Sequence, residues 1–248
     1  MMKFILMVSV ACLMLFNHST VFSQNTNETQ IDDTEYASTI KEFTEYLLKN
    51  PNDVDYRLLL AKAYLMKNNF DDAIREADIV LKQIPQQTSA LNILAISYMG
   101  KGQNDNAIDV GEKLIKIDSK DVEVFKMLAS LYYIKGQFDK TIDDLKKVLV
   151  LNPSDIASLN NLSIAYLKKG NISTALSLAK ESLKLDNSEP QTFYCFARIY
   201  SRKGEYSEAI KWLKKAIAKN MKYKNEAKNE TEFSKLQNIK EFQDLIYK

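Results

Sequence analysis

Residues 162–175 read Leu162-Ser163-Ile164-Ala165-Tyr166-Leu167-Lys168-Lys169-Gly170-Asn171-Ile172-Ser173-Thr174-Ala175. A large apolar residue and a small one stand side by side, a tyrosine follows one helical turn after the large one, and a glycine then interrupts the run. The pattern recurs in both directions at a spacing of 34 residues. Its tyrosine column is Tyr64, Tyr98, Tyr132, Tyr166 and Tyr200. Four positions on stand Asn68, Gly102, Gly136, Gly170 and Gly204, and nine positions on stand Ala73, Ala107, Thr141, Ala175 and Ala209. Three columns held in register over five copies identify an internal repeat.

With position 1 at Val54, Thr88, Val122, Ile156 and Pro190, a first helix carries Leu60, Leu94, Leu128, Leu162 and Phe196 at position 7. Ala61, Ala95, Ala129, Ser163 and Ala197 follow at position 8. The small side chain lets a second helix approach closely, and the tyrosine fills the gap one turn further along the same face. Asn or Gly at position 15 takes the left-handed conformation that ends a helix, and an Asp-rich segment such as Phe70-Asp71-Asp72 opens the next. Pro85 and Pro153, at position 32, stop the second helix. Repeat two departs from the pattern. It has Asn104 where the others have Phe70, Phe138, Ile172 and Tyr206, and it has Gly111 at position 24, so its second helix is expected to be the weakest.

A two-helix unit of this length, alternating large and small apolar residues, resembles the tetratricopeptide repeat. The resemblance implies an all-α fold, a right-handed superhelix of antiparallel helix pairs, with five repeats at 54–87, 88–121, 122–155, 156–189 and 190–220. Pro51 lies 34 residues before Pro85, so residues 34–50, with Ile40, Phe43, Tyr46 and Leu47 on one face, read as an N-terminal capping helix. Residues 221–248 contain Phe233 to Leu236 and Phe242 to Ile246 at helical spacing and resemble the family's closing helices, which cover an apolar end.

Residues 1–23 fall outside the repeat. Lys3, the apolar run Phe4 to Phe16 and the small residues near Ser23 read as a secretory signal removed before Gln24, and the run is short for a membrane span. Residues 24–33 are polar and read as a flexible leader. A second reading stays open: Ser9-Val10-Ala11-Cys12 resembles a lipoprotein processing site, and membrane association is expected only if Cys12 carries a lipid. Removal before Gln24 leaves Cys195 as the sole cysteine, hence no internal disulfide, and a small residue on a packed helix is its expected role.

The single histidine, His18, lies in the removed segment, so the mature chain has no Ser-His or Cys-His pair and none of the usual zinc sites. Gly100-Lys101-Gly102 lacks the glycine-rich run of a phosphate loop and is explained by the repeat turn. No cofactor is implied. Of 34 basic and 32 acidic residues the signal holds one lysine, leaving 33 against 32, a balance that argues against nucleic acid as partner. The charge is uneven, with ten acids and five bases over residues 24–72 and seven acids and thirteen bases over residues 198–248.

The resemblance also implies a concave groove lined by positions 2, 5, 9, 12 and 13 of the first helices. Here those positions include Leu58, Lys62, Leu65 and Met66; Asn92, Ile96 and Met99; Lys126, Ser130 and Tyr133; Asn160, Ile164, Leu167 and Lys168; and Tyr194, Arg198, Ser201 and Arg202. Apolar residues mixed with cations suit a protein or peptide with apolar anchors and an acidic or C-terminal carboxylate end, with Arg198 and Arg202 as the cationic end of the groove. The family's carboxylate clamp for chaperone tails is incomplete. Leu58 and Lys62 stand at its expected Lys and Asn positions, Lys126, Ser130 and Asn161 match loosely, and Gln191 and Cys195 do not complete it. The expected function is a non-catalytic interaction scaffold, periplasmic or secreted. A structural subunit of an envelope assembly is the alternative, and an enzyme comes third.

Overall fold

A computed structural model describes residues 33–248, with side chains from Tyr36 onward. The signal, Cys12, His18 and the leader up to residue 32 lie outside the described residues. Residues 39–248 group into one compact unit; of the other, residues 1–38, the described part is helical backbone from Asp33.

Every described element is helical. Helix α1 spans Asp33–Lys49, and five helix pairs follow: α2 Val54–Met66 with α3 Phe70–Gln83, α4 Thr88–Gly100 with α5 Asn104–Ile117, α6 Val122–Ile134 with α7 Phe138–Leu151, α8 Ile156–Lys168 with α9 Ile172–Leu185, and α10 Pro190–Lys203 with α11 Tyr206–Lys219. The C-terminal part holds α12 (Lys222–Asn229), a six-residue 3₁₀ helix (Thr231–Leu236) and α13 (Lys240–Tyr247).

Local chemistry sets these boundaries. The carboxylates of Asp53, Asp121 and Asp155 accept from the backbone N–H of Tyr56, Val124 and Ser158 at 3.0, 3.1 and 2.7 Å, capping α2, α6 and α8. The first helices end on the position-15 residue in the left-handed region, from Asn68 (φ 57°) to Gly204 (φ 82°). Each turn is closed by the carbonyl of the column tyrosine. Tyr64, Tyr98, Tyr132, Tyr166 and Tyr200 accept from the N–H five residues on, at 2.8–2.9 Å.

Position 20 is sealed in all five repeats: Ala73, Ala107, Thr141, Ala175 and Ala209 are buried. Where position 8 is serine its hydroxyl is used, since Ser163 Oγ donates to the Ala175 carbonyl at 2.8 Å. The core passes from pair to pair: Tyr166 borders the clusters on both sides of α8, and Leu183, Tyr200 and Trp212 border the last two. Lys101 pairs with Asp71, Lys135 with Asp105 and Lys169 with Asp139, one link between each of the first four repeats.

In repeat two the structure gives the helix-interior glycine a packing role. Helix α5 runs the same 14 residues as the other second helices, and Gly111 is buried inside it. A Cβ there would lie 2.7 Å from Leu128 Cδ2 and 2.9 Å from Met127 Cε, so the glycine admits the close approach of α6. Gly100 is used similarly, with the Phe70 ring occupying the place of a Cβ.

Candidate functional site: the groove

The first helices bring the sequence-predicted groove residues into three different environments. Asn92, Ile96, Met99 and Arg202 are exposed. Asn92, Ile96 and Met99 fall at i, i+4 and i+7, so they share one face of α4, where Ile96 is 40% and Met99 37% exposed. Leu58, Lys62, Lys126 and Tyr133 are half-buried. Lys126 is engaged by Glu123 at 2.8 Å and by the cap residue Asp155 at 3.3 Å.

Ser130 is exposed as well, and Met66 and Lys168 are half-buried; the remaining seven, Leu65, Asn160, Ile164, Leu167, Tyr194, Arg198 and Ser201, are buried, and for them the expectation of an open lining role needs correction. Leu65 belongs to the core of repeats one to three, and Ile164 and Leu167 pack with Phe196 and Ile199. Asn160, 0% exposed, donates from Nδ2 to Thr192 Oγ1 at 3.0 Å, and Thr192 meets Ser182 Oγ at 2.7 Å. This amide therefore ties α8 to α10 instead of holding a peptide backbone. Cys195 is buried beside it, and burial pushes its thiol up to about 12, as a structural rather than a reactive cysteine requires.

Tyr194 and Arg198 are covered by the chain's own C-terminal segment. The Arg198 Nη2 donates to Glu232 Oε2 at 3.2 Å and to Tyr133 Oη at 3.4 Å, while Nε lies 3.2 Å from Glu230 Oε2. Lys168 Nζ reaches Glu232 Oε1 at 2.8 Å and Thr231 Oγ1 at 3.2 Å. Ser201 Oγ donates to the Glu232 carbonyl at 2.6 Å. Tyr194 stacks near Tyr223, with centroids 4.7 Å apart, and meets Phe233 edge-on at 5.7 Å and 89°.

The stretch Phe233 to Leu236, expected as part of a covering helix, thus belongs to a short 3₁₀ helix set against groove residues of repeats four and five. Glu230 and Glu232 share one guanidinium. Burial, and then its hydrogen bond to Glu232, raise the Glu230 carboxyl above the usual range, whereas the Glu230 hydrogen bond, Arg198 and Lys168 overcome burial and hold Glu232 well below it. Among the described residues the groove is therefore most open at repeat two and filled over repeats four and five. Among the described residues no three His, Cys, Asp or Glu side chains gather where a metal ion could be held.

Comparison with known proteins agrees with this architecture. Residues 30–96 match a tetratricopeptide repeat family, and residues 102–240 match the family described as ChAPs (Chs5p-Arf1p-binding proteins). A crystal structure of MamA protein is 25% identical, covering 71% of this chain and 95% of that one at a TM-score of 0.61. YrrB, described as a TPR protein with an unusual peptide-binding site, is 21% identical over 76% of this chain and 99% of its own, with a TM-score of 0.61. The C-terminal part of a TPR repeat-containing protein from Cytophaga hutchinsonii is 20% identical, covering 77% and 78%, with a TM-score of 0.65. At those identities the latter two share the fold alone. No curated protein matches the chain in sequence.

Proposed function

From a chain that belongs to the tetratricopeptide repeat proteins and, over more than half its length, to the ChAPs family, we propose an exported, non-catalytic scaffold that holds a protein or peptide partner in the open half of its groove. A repeat protein of this family is a protein-interaction scaffold; export and the groove as its working surface are our reading. The observation that carries it is the face of α4 that the described residues leave uncovered. Among the described residues Ile96 and Met99 keep more than a third of their surface in water on one helical face, and Asn92 flanks them. Such a face suits a partner with apolar anchors, and Lys62, which has no ion partner among the described residues, suits an acidic group at its end.

Replacing Ile96 and Met99 by aspartate tests this. Both side chains are more than a third exposed, so helicity should be kept and stability should fall by no more than about 1–2 kcal/mol, while cross-linking to the partner in the producing cells is lost. Retained cross-linking at unchanged helicity would sink the groove reading. Export is tested separately: intact mass of the exported chain should begin at Gln24, and a diacylated Cys12 would replace that with the lipid-anchored reading.

One observation favours the alternative of an assembly subunit. Ile117, Leu151 and Leu185, each at position 30, stand exposed at the ends of consecutive second helices, away from the groove positions. If changing these three to serine abolishes a high-mass complex that survives the α4 changes, the assembly reading takes precedence.

A further inference from the structure

The filled half of the groove displays the chemistry it recognises. Two cations from different repeats, Lys168 and Arg198, close on the Glu232 carboxylate, a hydroxyl from Ser201 takes the main-chain carbonyl of the same residue, and Phe233 enters an aromatic wall at Tyr194. A charge clamp, a backbone donor and a ring pocket in succession are the elements of extended-peptide recognition. We propose that this end of the groove is a binding site for an extended peptide carrying a glutamate followed directly by an aromatic residue, on another protein, and that Glu230–Phe233 is its resident competitor.

The resident fits imperfectly, which is what exchange requires. Glu230 brings a second carboxylate to a guanidinium already committed to Glu232. Arg198 is 9% exposed and its Nε, though near Glu230, has no hydrogen-bond partner among the described residues; the hydroxyl of Tyr194, 6% exposed, has none among them either. Burial, with the Glu230 charge next, raises that hydroxyl's pKa, so it stays a donor in want of an acceptor. A ligand that places a neutral acceptor where Glu230 now sits would remove the like-charge contact and satisfy both donors. The resident's backbone is a single 3₁₀ helix with no side-chain cap at its N-terminus, the less stable hydrogen-bonding geometry, so its hold rests on the buried Phe233 and Leu236 and on the ion pairs of Glu232. These residues are distinct from the α4 face, so this site stands or falls independently of the open groove.

The test uses the full chain and a labelled synthetic peptide of residues 229–236, Asn-Glu-Thr-Glu-Phe-Ser-Lys-Leu. A tethered segment competes at high effective concentration, so the peptide should bind the chain carrying Glu232→Gln and Phe233→Ala about tenfold or more tighter than it binds wild type. A peptide with the same two changes should bind neither. Failure of the unaltered peptide to bind the variant at wild-type helicity overturns the proposal. Should the variant not fold, amide exchange on the wild type decides: the amides of 231–236 should open about tenfold or more faster than those of α10. Equal protection makes the segment a permanent part of the core and ends the proposal. So does a wild-type dimer that the peptide dissociates, because the occupant in trans would then be a second copy of this chain.

Discussion

Arg198 and the two glutamates beside it are where residue-level reading and structure part company. The 34-residue register places Arg198 on the groove, and it is there, but the register says nothing about what covers it. Glu-Thr-Glu-Phe at 230–233 has no periodic signature, lies about one repeat beyond its partners and follows the last recognisable copy, so its contacts exist only in three dimensions. The pair also makes a prediction with opposite signs. Glu232, held below the usual range, contributes stability that is present above the ordinary glutamate pKa and is lost as pH falls through its lowered value. Glu230, held above that range, does the reverse: wild type loses stability as pH rises from the ordinary value through the raised one. Arg198, Lys168 and the hydroxyls of Tyr133, Tyr194 and Thr231 are the other groups facing them. Denaturant melts at pH 8 should therefore find Glu232→Gln destabilised by about 3 kcal/mol, a buried cation pair having lost its anion, and Glu230→Gln as stable as wild type or more so. Equal losses from both would mean that they act as one unit.

At the scale of the helix pair nearly everything was legible, because each unit is specified by contacts close in sequence. Position 8 against position 20 fixes the approach of the two helices, and the breaker at position 15 fixes the turn between them. Ala175 has no exposed surface and its carbonyl is bonded to Ser163, so Ala175→Leu should lower the melting temperature, at a cost of about 1–3 kcal/mol. An unchanged melting temperature would contradict the pairing of α8 with α9. Gly111 shows what propensity alone misreads. Its penalty as a helix residue, about 1 kcal/mol against alanine, is real, but the absent Cβ is where Leu128 and Met127 pack. Leu128 is buried and cannot swing away, so Gly111→Ala should destabilise the chain, by about 1 kcal/mol net once the propensity gain is subtracted. A stabilised variant would show that α6 yields at no cost.

Over residues 39–248 stability is a chain of neighbour interfaces, and the C-terminal segment adds a link that skips a repeat. Tyr133 of repeat three meets Arg198 of repeat five, which in turn is neutralised by residues 230 and 232. Tyr223, Phe233, Leu236, Phe242 and Ile246 are all sealed against α10 and α11 or one another. A chain ending at Asn220 would expose Tyr194 and leave Arg198 without a carboxylate, while repeats one to three keep every contact they have. The expected result is loss of cooperativity in a defined order. Trp212, the one tryptophan, sits on α11 stacked on Phe196 at 4.5 Å and reports repeats four and five. Its fluorescence transition should fall by about 10 °C or more, since a unit of some 60–100 residues loses about 4–8 °C per kcal/mol. The larger part of the far-UV dichroism should melt later, near the wild-type midpoint. In the full-length chain the two probes should coincide. If they still coincide after truncation, at an unchanged midpoint, the segment contributes nothing to repeats four and five, and their stability rests on the helix pairs alone.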